Sequence, residues 1–383
     1  MRNDNEKQMY DLWLDSLWEF APRKKHLLIE KYGDSQSVYE YGMGDIREGM
    51  KTGVQENDRI RSLEEIEGTM IKMKEMNITA LAWDDEGFPE SLRWINNPPW
   101  MLYFRGKKEL LDERCVAVVG ARKASDYGKA VAQSLGHRIA ATGTVVVSGM
   151  AGGVDSWAHR GALDQAACCD RANTIAVLGG GVDVCYPKAN RVIYGELCKK
   201  GLILSEFRPG VHPRSYYFPM RNRLISGLSE ATVVVEAAVG SGSLITAELA
   251  MEQGREVFAI PGNIDRIGSV GTNKLIKDGA AILISVEDLI HELCLEDENC
   301  AEIGELIDQE NGQSVLGDDE KRIMKYLLQN GEANTDQLVR TTGLSASKIN
   351  GLVTVLEMKG IVSTAIGKIF LAKKFENLYN MPL

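Results

Sequence analysis

The sequence lacks the patterns that mark several common classes of protein. Its seven cysteines form no Cys-x-x-Cys pair and are odd in number, which disfavours both a zinc site and a disulfide framework. No stretch approaches the roughly 20 apolar residues that cross a bilayer, and the polar amino terminus carries no signal-peptide core. We therefore expect a chain without membrane contact, located in a reducing cytoplasm.

Motifs of catalysis are also missing. The chain contains neither the GxxxxGK[ST] loop of ATPases nor the GxSxG and HExxH motifs of hydrolases. Its five histidines are scattered, and a lone one such as His159 is more often structural than catalytic. No acidic residue stands cleanly at a strand end about 20 positions after the first glycine turn, which weakens the case for a dinucleotide site. We expect no catalytic residue, no metal and no cofactor.

The charge of the chain is unevenly distributed. The formal net charge is −10, but residues 291–320 contain eleven Asp or Glu and no Lys or Arg, which leaves +1 for everything else. Residues 321–383 carry +5. Because the acidity belongs to one segment rather than to a folded surface, the overall charge does not exclude a nucleic-acid partner.

Short β-branched strands alternate with helical segments from Cys115 to about Glu292. The candidate strands are 115–119, 144–148, 174–178, 202–205, 231–236, 256–260 and 281–284. Strands separated by helices, such as 127–141 and 243–253, form right-handed βαβ units in a sheet that is covered on both faces. We predict an α/β fold with a doubly wound, Rossmann-like parallel sheet.

The pattern divides the chain into four segments. Residues 1–78 are predicted to be a helical domain of the SAM or helix-hairpin-helix kind, residues 79–292 the Rossmann-like domain, and residues 293–319 an acidic linker. Residues 320–383 are predicted to be a winged-helix domain, with helices at 320–329, 335–341 and 345–359 and a wing of two strands at 360–364 and 367–371.

Three glycine-rich turns follow candidate strands, at residues 120–122, 148–153 and 240–243. Such a turn before a helix presents free backbone N–H groups to a phosphate, and adjacent glycines form a nest for an anion. We predict that the three turns meet at one polyanion-binding edge of the sheet. Asp155 is expected to cap the helix that follows the second turn.

Two further segments are candidates for phosphate contact. Residues 179–181 are either a flexible triple-glycine turn or, beside Lys188, part of an anion site. Residues 216–227 hold the densest basic cluster, in which Arg221 and Arg223 flank an asparagine and follow three aromatics suited to base stacking. A solvated helix start with core aromatics is the alternative. We expect Arg221 at the surface as a phosphate contact.

Several motifs in one order resemble the DNA-processing protein A family (DprA, also called Smf). They are Val119–Arg122, Ser148–Asp155, Asp183–Pro187, Ser205–Glu206, Phe218–Leu228, Gly242–Ala247, Ala259–Gly262 and Gly271–Ala280. The resemblance is strong over about residues 95–290 and looser in the flanking regions.

The resemblance implies a non-enzymatic bacterial protein that binds single-stranded DNA. It implies that the protein protects incoming DNA during natural transformation, loads the RecA recombinase onto it, and forms a homodimer through the Rossmann-like domain. Carried over by motif, Arg122, Lys188, Arg221 and Asn222 line the DNA pocket, and the 148–153 loop takes a phosphate. The full set of predicted DNA-binding residues, with the last two added on chemical grounds, is Gly120, Arg122, Ser148, Gly149, Gly152, Gly153, Lys188, Arg221, Asn222, Arg223 and Lys274.

Two other functions stay open. A related lysine-decarboxylase-like Rossmann group hydrolyses nucleoside monophosphates with a Pro-Gly-Gly turn and a glutamate on the next helix. Here Glu248 is on that helix, but the turn contains no proline. A transcription regulator would read DNA with the helix 345–359. Its only long polar residues are Lys348, Asn350 and Lys359, which are few for reading bases in the major groove.

Overall fold

A computed structural model describes most of the chain. The described residues are 4–17, 20–49, 61–167, 169–295, 319–320, 322–323, 326–327, 332–358, 362–365 and 368–371. They form two compact units, Met1–Val286 and Glu287–Leu383. Most of the predicted acidic linker, much of the predicted helix 320–329 and Lys359 lie outside the described residues. No helix in the described ranges is both long and apolar enough to cross a membrane.

The first unit begins with helices, as the periodicity predicts. They are α1 (Asp4–Ser16), α2 (Pro22–Tyr32), α3 (Ser35–Tyr41), α4 (Met43–Gly49) and α5 (Leu63–Glu75). Helix α5 starts at a capping box in which Ser62 and Glu65 bond each other's backbone N–H. The buried Asp15 carboxylate pairs with Lys25 at 2.7 Å and accepts the hydroxyl of Tyr103 at 2.8 Å. This network fixes the helices to the sheet.

A nine-stranded sheet forms the rest of the first unit. Its strands are β1 (Thr79–Ala82), β2 (Met101–Gly106), β3 (Cys115–Val119), β4 (Val145–Ser148), β5 (Thr174–Val177), β6 (Leu202–Ser205), β7 (Ala231–Val234), β8 (Glu256–Ala259) and β9 (Ala281–Ile282). Strands β3 to β9 are the seven predicted strands, and they pair with one another in parallel. Strand β2 pairs antiparallel with β6, and β1 pairs antiparallel with β2, so these two strands add to the seven predicted ones.

The strand order is β1-β2-β6-β5-β4-β3-β7-β8-β9. The chain runs outward from β3 to β6 and then returns to the other side of β3 with β7. Such a reversal opens a crevice at the carboxyl ends of the two central strands, here β3 and β7. Helices that connect or flank the strands are α6 (Glu90–Arg93), α7 (Asp126–Ala141), α8 (Val154–Gln165), α9 (Arg191–Lys200), α10 (Tyr217–Leu228), α11 (Gly242–Glu252) and α12 (Ile267–Lys277). Helix α13 (Val286–Glu292) follows β9 along the chain and begins at the boundary between the two units.

The described part of the second unit contains two of the three predicted winged-helix helices, both predicted wing strands and one more strand. These are β10 (Glu332–Ala333), α14 (Thr335–Thr342), α15 (Ala346–Met358), β11 (Val362–Ala365) and β12 (Lys368–Leu371). The three strands form an antiparallel sheet in the order β10-β12-β11. Leu338, Ile349 and Leu356 are fully buried in the core of this unit. The two-residue strand β10 is too short for a period-two pattern to reveal it in the sequence.

Candidate nucleic-acid interface

A cleft of about 690 Å³ lies at the reversal point between β3 and β7. The turns after these two strands and the Gly-rich loop after β4 all contribute to its lining, as the sequence predicts: Gly120–Lys123, Gly240–Ser243, Ala151 and Asp155. Helix α10 closes the cleft with Phe218, Arg221 and Asn222. Ser241, the residue that precedes α11, makes no side-chain cap bond, so the start of this helix faces the cleft uncapped.

Size alone does not identify the site. A larger cavity of about 1510 Å³ lies among α1, α5 and α9, where it is lined by Met9, Met70, Tyr194 and Cys198. None of the three predicted glycine turns reaches it. The smaller cleft is the better candidate because helix N-termini, glycine turns and basic side chains converge there.

Arg221 lies beneath the cleft rather than on its surface. Only 4% of the residue is exposed, so the expectation of a surface arginine is wrong. Its Nη1 donates to the carbonyl of Gly149 at 2.8 Å and to the carbonyl of Val177, at the ends of β4 and β5. Burial lowers the pKa of Arg221 to about 10, an effect that the Asp155 carboxylate opposes. The guanidinium therefore stays charged at neutral pH and ties α10 to two strands.

The loop after β4 is built around this arginine. A Cβ atom at Gly149 would lie 2.6 Å from Arg221 Nη2, so only glycine leaves room for the guanidinium. Ser148 is fully buried and donates its hydroxyl to the carbonyl of Val118 at 2.6 Å. Gly153 has a φ of +75° and packs on the carbonyl of Ala121, where a Cβ would approach to 2.2 Å. These three residues position the loop, whereas a Cβ at Gly152 would make only an ordinary contact, at 3.5 Å from the Arg122 carbonyl oxygen.

Asp155 closes the same loop from below. Its Oδ2 accepts the backbone N–H of Ala151 at 3.3 Å, and burial raises the pKa of the carboxyl. The predicted cap is wrong in detail, because Gly153 occupies the N-cap position and Asp155 lies in the first turn of α8. The carboxylate therefore occupies the Ala151 N–H, one of the loop N–H groups that we predicted would bind a phosphate.

An exposed row of aromatic and basic side chains borders the cleft. The Arg122 guanidinium is exposed and lies 5.2 Å from the ring centre of Phe218. The Tyr186 ring, which is 50% exposed, lies 5.7 Å from the same Phe218 ring. Lys188 is exposed two residues further along. This stacking ridge, defined as Arg122, Phe218 and Tyr186, combines a cation with two ring faces at the rim of the cleft.

Glu236 occupies the anion position at the N-terminus of α7. Its carboxylate accepts the backbone N–H of Ser125 at 2.9 Å and also the Ser125 hydroxyl. A Cβ at Gly128 would lie 2.5 Å from this carboxyl carbon, so the glycine makes the approach possible. In doubly wound folds a ligand phosphate usually rests at the first helix N-terminus; here the chain supplies its own anion. Glu236 is not among the residues predicted from the sequence, although a charged residue at the end of an apolar strand was the available signal.

A family model described as DNA recombination-mediator protein A matches residues 79–294, which is more than half of the chain. A second model, the DprA winged helix domain, matches residues 309–368. The chain belongs to the DprA family.

Individual members of the DprA family agree with this assignment. The DNA processing protein DprA of Bacillus subtilis (strain 168) is 36% identical over 248 residues, which cover 64% of this chain and 82% of that protein. The X-ray structure of DprA from Streptococcus pneumoniae aligns with a TM-score of 0.59 at 34% identity, covering 74% of this chain and 97% of that chain. A structure of the Helicobacter pylori protein, described for its single-stranded DNA binding mode, aligns with a TM-score of 0.52 at 32% identity, covering 57% and 95%.

Two of the predicted basic residues lie away from the cleft. Arg223 is 7% exposed, and its guanidinium forms a bidentate pair with Glu206 at 2.7 and 2.6 Å. It also donates to the carbonyls of Asn97 and Met220. Lys274 is exposed in the last turn of α12, whereas the cleft reaches only Ile267 and Gly268 at the start of that helix.

The polar residues of the candidate recognition helix have partners within their own unit. Lys348 of α15 pairs with Asp319 at 2.5 Å, and Asn350 accepts the hydroxyl of Thr335 at 3.2 Å. These contacts leave the two side chains less available for reading bases, which weakens the transcription-regulator alternative.

Proposed function

We propose that the protein binds single-stranded DNA along the stacking ridge and in the adjacent cleft, without sequence specificity. The observation that carries this proposal is the Arg122–Phe218–Tyr186 stack beside uncapped backbone at the start of α11. Sequence-tolerant binding needs cations for the phosphates and ring faces for the bases, and the ridge offers both. The related Helicobacter pylori structure, described for its single-stranded DNA binding mode, supports the same proposal.

Apart from Arg223 and Lys274, the predicted residues have a role in this proposal. Arg122 and Lys188 contact phosphates, while the amide of Asn222, bonded to the Gly242 carbonyl at 3.1 Å, supports the α11 turn. Gly120 lets Val154 and the Glu236 carbonyl approach, since a Cβ there would lie 2.6 Å from the valine side chain. The buried residues of the 148–153 loop, together with Arg221, hold this edge in shape.

Fluorescence anisotropy with single- and double-stranded DNA of one sequence tests the proposal. We expect tighter binding of the single strand, and a loss of about 1–3 kcal/mol in binding free energy for Tyr186→Ala, the value of one base stack. The matched control is Tyr41→Ala, which removes a tyrosine that is 72% exposed on α3. Equal affinity for single- and double-stranded DNA would contradict the proposal that the stacking ridge binds single strands. Equal losses of binding free energy in Tyr186→Ala and Tyr41→Ala would contradict it as well.

The proposal extends to the assembly of two copies. Exposed apolar residues follow the last two strands at one side of the described sheet, β8 and β9: Ile264 is 92% exposed, and Ile267 and Ile284 are both 78% exposed. An apolar patch beside an open strand edge is suited to covering by another protein surface. We expect Ile264→Glu with Ile284→Glu to convert a homodimer into a monomer by light scattering. A wild-type chain that is already monomeric would reject this part.

The cellular role follows the family. We propose that the protein acts in the cytoplasm during natural transformation, protects incoming single strands and loads RecA onto them, with domains at 1–78, 79–292 and 320–383 joined through the linker 293–319. Nuclease digestion of single-stranded DNA tests protection, and the rate of RecA assembly on that DNA tests loading. Each is measured with and without the protein, and no change in either measurement would reject the corresponding role.

We propose that the protein is not a nucleotide hydrolase. Glu248, the residue that such an enzyme would need, is exposed on α11 and does not line the cleft. Incubation with nucleoside monophosphates tests the point: release of free base that disappears in Glu248→Gln would favour the hydrolase over the binding protein.

A further inference from the structure

A second basic pocket, which we call the Arg208 pocket, lies on the same edge of the sheet as the cleft. It has a volume of about 430 Å³ and is lined by Arg61 and Lys72 beside or on α5, and by Asp183, Arg208 and Gly210 in the loops after β5 and β6. None of its lining residues belongs to the cleft or to the stacking ridge. The pocket lies between the N-terminal helices and the sheet. The DNA-binding proposal above assigns no role to this region.

Positive charge dominates this pocket. Three cationic side chains surround it, with Asp183 as the only carboxylate among its lining residues. Both oxygens of that carboxylate accept the backbone N–H of Gly210, at 2.8 and 3.0 Å, so Asp183 pins the loop after β6. The remaining excess of cations favours an anion.

One of the cations lacks an acceptor. The Nη1 atom of Arg208 is buried and has no hydrogen-bond partner among the described residues. Burying an N–H group without an acceptor is costly, and such groups are rare in folded proteins. The Arg208 residue as a whole is partly exposed and lines the pocket, and a phosphate oxygen suits a guanidinium best.

The walls of the pocket are preformed. A Cβ at Gly181 would lie 2.6 Å from Asp183 Oδ1 and 2.7 Å from the Arg208 carbonyl, so the glycine turn after β5 packs directly on the loop after β6. The Gly181 N–H also donates to the Val211 carbonyl at 2.8 Å. Packing therefore requires glycine at position 181. A rigid pocket binds a ligand without paying to order itself.

We propose that the Arg208 pocket binds a backbone phosphate of the same DNA strand that occupies the cleft. The pocket lies after β5 and β6 and the cleft after β3 and β7, in the order β6-β5-β4-β3-β7. Their centres are thus separated by three strand spacings, or about 14 Å at the ordinary spacing. A strand of several nucleotides spans both positions, which makes the N-terminal helices part of the DNA path. This inference rests on the proposed function.

A pair of lysines on one helix provides the test. Lys72 and Lys74 are both exposed on α5, but Lys72 lines the Arg208 pocket and Lys74 lines the larger cavity. We expect Lys72→Gln to weaken binding of an oligonucleotide of about 16 nucleotides, by up to about fivefold. The magnitude of its salt slope should fall by about 0.7, the value of one phosphate contact. An oligonucleotide of about 4 nucleotides, held in the cleft alone, should bind both variants like the wild type, and Lys74→Gln should match the wild type at both lengths.

The possible results separate this inference from the proposed function. If the wild type binds both oligonucleotides, and Lys72→Gln and Lys74→Gln have equal salt slopes, the Arg208 pocket is not a DNA site. The cleft proposal would then still stand. If the wild-type protein binds neither oligonucleotide, both the proposed function and the Arg208 pocket proposal are overturned. Titration with inorganic phosphate is a further test. If Lys72→Gln abolishes the affinity for phosphate but does not change binding of the longer oligonucleotide, the pocket is a site for a small anion. That result would overturn the proposed DNA path.

Discussion

The guanidinium of Arg221 on α10 fills the space that Gly149 leaves by having no side chain. A Cβ at position 149 would lie 2.6 to 2.8 Å from three atoms of that guanidinium, and the Gly149 carbonyl accepts its Nη1 at 2.8 Å. Two motifs that are 72 residues apart thus form one buried contact. The glycine loop and the basic helix start keep each other in place at the edge where the cleft opens.

Substitution of Gly149 tests this contact. Gly149→Ala should reduce the free energy of unfolding by about 1–3 kcal/mol, because the new methyl group overpacks against the guanidinium. The control is Gly152→Ala in the same loop, where the nearest atom lies at an ordinary 3.5 Å. That variant should stay within about 0.5 kcal/mol of the wild type. Urea denaturation measures both, and equal effects would contradict the fit described here.

Arg122 should contribute to DNA binding and not to stability. Arg122→Ala removes one exposed cation, so we expect the magnitude of the salt slope for single-stranded DNA to fall by about 0.7. The free energy of unfolding should stay within about 0.5 kcal/mol of the wild type. Arg47→Ala, at an exposed position on α4, is the control for charge alone. A slope that changes equally in both variants would show that Arg122 makes no specific contact.

Arg223 should behave in the opposite way. Arg223→Ala leaves Glu206 buried without its partner, which costs about 3–5 kcal/mol of stability. The double variant with Glu206→Gln should lose less than the sum of the single losses. The exposed pair Arg114–Glu230 is the control, and Arg114→Ala should cost at most about 1 kcal/mol. A reduced DNA salt slope in a folded Arg223 variant would restore the role predicted from sequence.

His159 predicts a pH dependence of stability. The ring is fully buried, its Nδ1 lies 2.7 Å from the Thr174 hydroxyl, and burial lowers its pKa from 6.5 to about 3. Between these two values the unfolded chain binds a proton that the folded chain does not. The free energy of unfolding therefore falls as the pH drops from 6.5 towards 3, by at most about 1.4 kcal/mol per pH unit from this group.

The comparison of two asparagine variants isolates that contribution. His159→Asn keeps a donor near the Nδ1 position but cannot titrate, so its stability should decline less steeply than that of the wild type over this pH range. His212→Asn, at an exposed position, should leave the slope unchanged. Parallel pH profiles for the wild type and His159→Asn would contradict the buried neutral ring.

The sequence alone determined the main architecture. The β-branched runs at 115–119, 202–205 and 231–236 coincide with β3, β6 and β7, because a parallel strand that is buried on both faces must be apolar throughout. Glycine turns at strand ends predicted one shared edge, since the carboxyl ends of parallel strands meet there. The short edge strand β1, paired with β2 through four residues, carried no comparable signal.

Only the tertiary structure decided which charged residues reach that edge. Arg221 and Arg223 are two positions apart on α10, so about 200° of helix rotation separates them, and they cannot both face the cleft. The sequence does not reveal that Arg221 donates hydrogen bonds to carbonyls at the ends of β4 and β5, or that Arg223 pairs with Glu206. Both contacts depend on how α10 packs on the sheet. The Glu236 carboxylate at the start of α7 is likewise a product of strand order, which places β7 beside β3. Composition identified the basic residues, and the packing of α10 against the sheet divided them into those that hold the fold and those that face a ligand.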